Sequence, residues 1–139
     1  MPTEENKALA RRYIEEIWNR GNLDEAQEIV TPTFTFQGPI RKVEGLDAFR
    51  QFVAAIRTTF PDLHFAIEDL IAEKEKVVIC WTMVGTHKNE FMGIAVTGRQ
   101  FRVPGATIVR LSGGKIAEAR PYWDRLGMVE QLGATFKPG

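Results

Sequence analysis

Residues 77–87 read Val-Val-Ile-Cys-Trp-Thr-Met-Val-Gly-Thr-His, a run that is apolar on both faces at its start. Such a run is typical of a central β-strand that helices cover on one side. From Pro61 almost to the end of the chain, the apolar residues recur with a period of two, which indicates strands rather than helices. The pattern predicts three more long strands in this part of the chain, over residues 63–71, 99–111 and 115–123.

The connections between these strands and the shape of the first of them are also predictable. Hairpin turns are expected at residues 73–76 and 112–114, where the apolar alternation is interrupted. In the strand over 63–71 the apolar face changes between Ile67 and Leu70. One extra residue produces such a switch, so a β-bulge is predicted at this point.

The part of the chain before Pro61 shows the 3.6-residue period of helices. Apolar residues form one stripe over residues 4–20, which predicts an amphipathic helix that ends at Gly21. Helices grouped before an antiparallel sheet indicate an α+β fold, and no linker divides residues 1–139, so a single domain is expected. The other predicted elements are a short helix after Asn22, a strand over 33–37, a helix over 46–58 and a terminal helix over 126–132.

Composition excludes several classes of function. Eighteen Lys and Arg balance eighteen Asp and Glu without blocks of like charge, so neither nucleic acid nor an anionic membrane is an expected partner. No apolar run is long enough to cross a membrane, and the polar N-terminus does not resemble a signal peptide. Cys80 has no second cysteine to pair with, and the two histidines do not form a metal-binding pattern. We therefore expect a cytoplasmic protein without a metal site.

A series of short motifs runs through the chain in order. The motifs are Tyr13-Ile14-Glu15-Glu16-Ile17-Trp18-Asn19-Arg20-Gly21-Asn22, Phe60-Pro61-Asp62-Leu63, Gly85-Thr86-His87, Phe91-Met92-Gly93-Ile94, Thr97-Gly98-Arg99, Gly114-Lys115-Ile116-Ala117-Glu118, Trp123-Asp124-Arg125-Leu126-Gly127 and Gln131-Leu132-Gly133. Their order and spacing resemble those of the SnoaL-like polyketide cyclases, a branch of the NTF2-like superfamily. The resemblance implies a cone-shaped α+β fold in which N-terminal helices pack on a curved, mainly antiparallel sheet that encloses a pocket.

The resemblance implies a reaction as well as a fold. Cyclases of this family close a ring by intramolecular aldol condensation, without metal or organic cofactor, and they act on hydrophobic carbonyl compounds. A base must remove a proton next to a carbonyl, and an acid must protonate the alkoxide that forms. The family's acid/base aspartate corresponds to Asp124, and His87 is a second candidate for orienting the carbonyl or sharing the proton.

Two interpretations of Asp124 stay open at this stage. Strand alternation from Ile116 places Asp124 on the same face as Tyr122, where aromatic neighbours would strip the carboxyl of water and favour its protonated form. Alternatively, Asp124 precedes the apolar residues of the terminal helix and is its N-cap.

Seven further residues are candidates for binding the substrate. Aromatic side chains suit a pocket for an apolar ligand, and Arg110 follows Val109 on a strand and is placed to stabilise an enolate. Gln37 stands where the family commonly has a histidine, and this removes any proton-transfer role there. The loss favours the alternative function, a non-catalytic protein that binds a small molecule. The seven candidates are Tyr13, Trp18, Phe34, Gln37, Trp81, Arg110 and Trp123.

Two further expectations concern assembly and motion. Val78, Cys80 and Val84 would leave apolar surface on the outer face of the sheet, so a homodimer is expected, as the resemblance also implies. Residues 88–98 contain Phe91, Met92 and Ile94 between glycines, which predicts a mobile flap over the pocket.

Overall fold

The computed structural model describes residues 2–39, 41–91 and 93–133. Its sheet has six strands in the order β2-β1-β6-β5-β4-β3. All neighbours are antiparallel except β1 and β6, which run parallel. The strands are β1 (Val30–Gln37), β2 (Lys42–Glu44), β3 (His64–Glu73), β4 (Lys76–Thr86), β5 (Gln100–Ser112) and β6 (Lys115–Trp123).

The helical segments lie mainly before the sheet in the chain, as the apolar period predicts. The predicted α+β class is confirmed, and so are the four long strands. Two features differ from the prediction: β2 has only three residues, too few for a visible pattern, and β1 returns beside β6 in parallel. The helical segments are α1 (Pro2–Arg12), a π-helical segment (Tyr13–Asn19), a 3₁₀ turn (Leu23–Glu25), α2 (Ala26–Ile29), α3 (Leu46–Thr59) and α4 (Arg125–Gln131).

One face of the sheet forms the core against the first helices and α3. Along β4 every second residue, from Val77 to Met83, is buried, and the residues between them are half-buried on the opposite, outer face. The α3 side chains of Phe49 and Val53 are fully buried against this inner face. The strand β4 is therefore apolar on both faces, and within the described residues the helices pack on its inner face.

Two β-bulges change which residues face the core. In β3, Ile67 pairs with Trp81 and Asp69 with Cys80, so Glu68 is the extra residue and the predicted bulge is confirmed. A second bulge, which the sequence pattern does not predict, lies in β6. There Leu111 pairs with Ile116 and Arg110 with Glu118, which leaves Ala117 as the extra residue.

The bulge in β6 reverses the alternation of the rest of that strand. Ile116 and Ala119 are both buried although they are three residues apart. From there Pro121 is buried and Tyr122 is exposed, so the inner face carries Pro121 and Trp123. The predicted inner face, on which Ile116 and Asp124 share an orientation, is therefore wrong after residue 117.

The π-helical segment is held at its C-terminal end by α3. The guanidinium of Arg57 donates from Nη1 to the backbone oxygens of Trp18 and Asn19, at 2.6 and 2.9 Å. Gly21 follows with φ of +66°, and a Cβ there would lie 2.5 Å from Nε of Arg57. Glycine is required both for this conformation and for space. The predicted helix end at Gly21 is confirmed.

A side-chain amide joins the same segment to the edge strand β3. Asn19 donates from Nδ2 to the backbone oxygen of Phe65 at 2.9 Å and accepts from the Phe65 N–H at 2.7 Å. This pair satisfies backbone groups that an edge strand would otherwise leave to solvent. Trp18, next to Asn19, is thereby fixed between α3 and β3.

We expect Arg57→Met to lower the free energy of unfolding by about 2 kcal/mol, because two carbonyl oxygens lose a charged donor. Arg11→Met is the control, since Arg11 is exposed on α1 and makes only a long ion pair with Glu15. That variant should stay within about 0.5 kcal/mol of the parent. Urea unfolding of the three proteins measures the difference, and equal stabilities would contradict the role given to Arg57.

Candidate functional site

A cavity of about 400 Å³ lies between the inner face of the sheet and the helices. All three tryptophans of the chain, Trp18, Trp81 and Trp123, line it. Most of the remaining wall is aromatic or aliphatic. It comes from β1, β4, β6, α3 with Phe60 directly after it, α4, and the connections β1–β2 and β4–β5. Further apolar members of the wall are Phe36, Phe52, Phe60, Met83, Phe91 and Met128.

Trp81 is held in one orientation by the neighbouring strand. Its indole N–H donates to the hydroxyl of Thr107 at 2.9 Å, and both groups are buried. The ring lies over Gly105, where a Cβ would lie 2.7 Å from Trp81 Cζ3. No larger residue fits at position 105 without moving the indole. The ring of Phe65 packs edge-on against Trp81 with 4.8 Å between centroids.

Tyr13 and Phe34 lie beneath the cavity rather than in its wall. Both are buried in the core, and their rings are 6.2 Å apart. Burial raises the pKa of the Tyr13 hydroxyl above its usual range, so this group is neutral at physiological pH. Neither residue is among those lining the cavity. They support its floor through Phe49, which packs against both.

Asp124 occupies the N-cap of α4 at the surface. Its carboxylate accepts a hydrogen bond from the N–H of Gly127 at 2.8 Å, and the side chain is exposed. A Cβ at Gly127 would collide with this carboxylate, so the glycine leaves room for the cap. Because the bulge at Ala117 turns Trp123 inward, Asp124 is not walled in by aromatic rings. The expected desolvation of its carboxyl is not found.

His87 directly follows β4 and is completely buried. Its Nδ1 accepts from the Thr97 N–H at 3.3 Å and lies 3.0 Å from the Thr97 hydroxyl. That hydroxyl accepts from the N–H of Arg99, so it is free to donate to Nδ1, and the proton of a neutral ring then sits on Nε2. In the described part of the chain Nε2 has no hydrogen-bond partner. The ring of Phe60, 6.1 Å away between centroids, separates His87 from the cavity.

The two remaining candidates lie outside the cavity wall. Gln37 is half-buried, and its amide donates to the backbone oxygen of Gly38 at 3.4 Å. Arg110 is on the outer face of β5, 4.0 Å from a carboxylate oxygen of Glu118. Because Val109 faces inward, strand alternation turns Arg110 away from the cavity. Of the nine predicted site residues, the structure brings only the three tryptophans together.

Two charged residues at the cavity were not predicted. Arg41 and Glu90 are the charged members among the described residues of its wall. Arg41 lies in the connection between β1 and β2, and Glu90 in the connection between β4 and β5. No periodic pattern exists in such connections, so the sequence carries no signal that these two side chains share one cavity.

A carboxylate anchors the start of the β4–β5 connection. Asp62 accepts from the backbone N–H of Thr86 at 2.7 Å and from its hydroxyl at 2.6 Å. The hydrogen bond from the Thr86 hydroxyl lowers the pKa of the Asp62 carboxyl. Within the connection, Phe91 packs edge-on against Phe60 at 5.0 Å between centroids. The predicted mobility of residues 88–98 stays a prediction, and Met92 lies outside the described residues.

The residues that the structure describes contain no group of three His, Cys, Asp or Glu side chains arranged to hold a metal ion. They also contain no helix that is both long and apolar enough to span a membrane.

The cap assigned to Asp124 predicts a specific pattern of stability. Asparagine caps a helix about as well as aspartate, so Asp124→Asn should leave the free energy of unfolding within about 0.5 kcal/mol. Asp124→Ala removes the acceptor for the Gly127 N–H and should cost about 1 kcal/mol. Chemical denaturation of both variants checks this, and a loss with Asn as large as with Ala would contradict the cap.

Comparison with known proteins agrees with the geometry. Residues 8–132 match the SnoaL-like polyketide cyclase family. The chain is 29% identical over 132 residues to the aklanonic acid methyl ester cyclase AcmA of Streptomyces galilaeus, covering 93% of this chain and 91% of that protein. It is also 29% identical over 121 residues to the nogalonic acid methyl ester cyclase of Streptomyces nogalater, covering 84% and 89%.

A solved structure also matches the fold of this chain. A protein of Jannaschia sp. CCS1, described as a SnoaL-like polyketide cyclase, matches with a TM-score of 0.89 at 26% identity, covering 98% of this chain and 97% of that chain. The α+β fold implied by the resemblance to NTF2-like proteins is confirmed. Because the family match, the sequence relatives and the fold agree over nearly the whole chain, this protein belongs to the SnoaL-like polyketide cyclase family.

Proposed function

We propose that this protein binds a small, flat, hydrophobic carbonyl compound in the tryptophan-lined cavity and catalyses cyclase-like or isomerase-like proton transfer on it without a cofactor. The observation that carries the proposal is the cavity itself. Its volume of about 400 Å³ lies within the range of about 300–1,000 Å³ typical of small-molecule sites, and three indoles line it. Relatives whose names state a cyclase activity support the reaction class.

Aromatic walls suit this chemistry for a physical reason. A ligand held among Trp18, Trp81 and Trp123 loses its hydration, and flat rings stack on the indole faces. Exclusion of water also strengthens any hydrogen bond to a carbonyl oxygen on which negative charge develops. The cavity would thus bind the substrate and favour its enolate, while a side-chain base removes the proton.

The proposed base is Asp124, with His87 as a positioning group. Asp124 directly follows Trp123, whose side chain lines the cavity. To reach a ligand, the carboxylate must give up its hydrogen bond with Gly127, a change that ligand binding would have to drive. His87, with its proton on Nε2, supplies a hydrogen-bond donor behind Phe60. The role of Asp124 follows from the family resemblance and that of His87 from its place at the end of β4, and both are part of the proposal.

The second candidate function is non-catalytic binding of the same kind of ligand. The position of the carboxylates favours it. The Asp124 carboxylate caps α4 at the surface, and among the described residues of the cavity wall no carboxylate is buried. A pocket with this wall and no base would bind a carbonyl compound without changing it. The two functions therefore differ in proton transfer and not in binding.

Proton transfer is measurable with 2-tetralone, a flat aromatic ketone with acidic protons next to its carbonyl. We expect the protein to accelerate exchange of these protons for deuterium in D₂O, followed by ¹H NMR. Asp124→Asn keeps the shape but removes the transferable proton, so the exchange rate should fall roughly 10²- to 10⁴-fold. Asp47→Asn, at an exposed position on α3, is the matched control and should exchange as the parent does.

The outcomes separate the two candidates. An unchanged rate in Asp124→Asn would remove Asp124 as the base. Exchange no faster than in buffer, together with saturable quenching of tryptophan fluorescence by 2-tetralone, would establish the binder instead of the enzyme. The absence of both exchange and quenching would reject the cavity as the site for such ligands.

We also propose that the protein is a homodimer that pairs through the outer face of its sheet. On this face Ile71, Val78 and Ile108 lie side by side on three adjacent strands. The next row across the sheet includes Cys80 and ends at Tyr122. Ile71 is 55% exposed and Tyr122 is 52% exposed, values that burial against a second copy would reduce.

Light scattering after size exclusion should give the mass of two chains at micromolar concentration. Ile108→Lys places a charge in the apolar row, next to Val78, and should yield monomers. Leu126→Lys is the control, because Leu126 is 52% exposed on α4, away from this face, and its variant should stay dimeric. A monomer at micromolar concentration in the parent protein would refute the dimer.

A further inference from the structure

Arg41 is a positive charge at the wall of a largely apolar cavity, which Glu90 also lines. Its guanidinium lies over the ring of Phe52, 5.2 Å from the centroid. Within the described residues no carboxylate lies at ion-pair distance from it. An arginine that lines a cavity and has no anionic partner in the protein is available to an anionic ligand.

The contact with Phe52 leaves the hydrogen-bonding groups of the guanidinium available. The guanidinium carbon lies within cation–π distance of the ring, and a contact of this kind needs none of the N–H groups as donors to an oxygen. The Phe52 ring itself packs against Phe36 and Trp18, at 5.0 and 6.2 Å between centroids. The cation is thus attached to the same aromatic wall that would contact the rings of a ligand.

The backbone also fixes the position of Arg41. The N–H of Gly38 donates to the backbone oxygen of Arg41 at 2.8 Å, which closes the turn that follows β1. Gly38, Pro39 and Arg41 all line the cavity, so the turn is part of its wall. The backbone of Arg41 is thus placed in the cavity wall, and a guanidinium carried there can meet both oxygens of a planar anion.

We infer that Arg41 binds the carboxylate of a flat aromatic ligand whose rings lie among the tryptophans, so the preferred ligands are aromatic acids rather than neutral compounds. The inference rests on the proposed function and narrows its substrate class. Glu90, the other charged group of the wall, repels the same carboxylate and thereby favours one orientation of the ligand. Arg110, which the sequence suggested for binding an oxyanion, faces away from the cavity and serves as a control.

Isothermal titration calorimetry with 2-naphthoate and 2-naphthamide tests the assignment, because the two probes have nearly the same shape and differ in charge. We expect the parent protein to bind 2-naphthoate more tightly. Arg41→Gln should weaken 2-naphthoate binding about 10-fold or more, the effect of losing a charge-assisted hydrogen bond, and change 2-naphthamide binding by less than about 3-fold. Arg41→Lys, which keeps the charge and loses the planar fork, should lie between the two. Arg110→Gln should leave both affinities unchanged.

The direction in which a Glu90 substitution changes the affinity for 2-naphthoate is an independent check of the inference. Glu90→Gln removes the repulsion and should tighten 2-naphthoate binding without changing the affinity for 2-naphthamide. Higher salt should weaken 2-naphthoate binding in the parent and have little effect in Arg41→Gln.

Other outcomes overturn the inference in distinguishable ways. If the parent binds both probes and Arg41→Gln or Arg41→Lys weakens them equally, Arg41 contributes packing on Phe52 and does not recognise the acid. If neither substitution changes either affinity, Arg41 does not touch the ligand, while the cavity remains a binding site. If the parent binds neither probe, the inference and the proposed ligand class both fail.

Discussion

Aromatic packing around Trp18 holds the π-helical segment and α3 to the sheet, and the position of the cavity follows from it. The indole contacts the rings of Phe36, Phe49, Phe52 and Phe65, with centroids 5.7 to 6.2 Å apart. Each such pair is worth about 0.5–1.5 kcal/mol beyond the area that it buries. The backbone beside Trp18 is held by Arg57 and Asn19, so the ring has little freedom to leave the cluster. The cavity begins at the edge of this cluster, because Trp18, Phe36 and Phe52 also line it.

Two of the motifs that resemble the family contact each other in the folded chain. Phe60-Pro61-Asp62-Leu63 meets Gly85-Thr86-His87, because Asp62 binds Thr86 through two hydrogen bonds. Phe60 packs on Phe101, and a Cβ at Gly85 would lie 3.0 Å from the Phe101 ring. The contact sets where the connection between β4 and β5 leaves the sheet. Since Glu90 and Phe91 belong to this connection and line the cavity together with Phe60, these motifs shape the cavity wall.

The position of the charges explains why binding is better supported than catalysis. Most of the cavity wall is aromatic or aliphatic, and the charged residues among its described members, Arg41 and Glu90, are both exposed. Asp124, the carboxylate that the family resemblance identifies, caps the N-terminus of α4 by accepting a hydrogen bond from the Gly127 N–H. The side chain is exposed and is not among the residues that line the cavity. Catalysis by Asp124 therefore depends on a rearrangement that releases it from the cap.

The sequence by itself determined the class of fold, the long strands, the bulge in β3 and the helix end at Gly21, because each depends on a local period or on one residue's backbone preference. It also identified the three tryptophans of the cavity. Only the tertiary structure decided which side chains share that cavity. The bulge at Ala117 turns Trp123 inward and leaves Asp124 outside, and it depends on the pairing of β6 with β5 rather than on the alternation within β6. Arg41 and Glu90 come together through two connections about fifty residues apart, whose relative position is set by the packing of α3 on the sheet and by no local pattern.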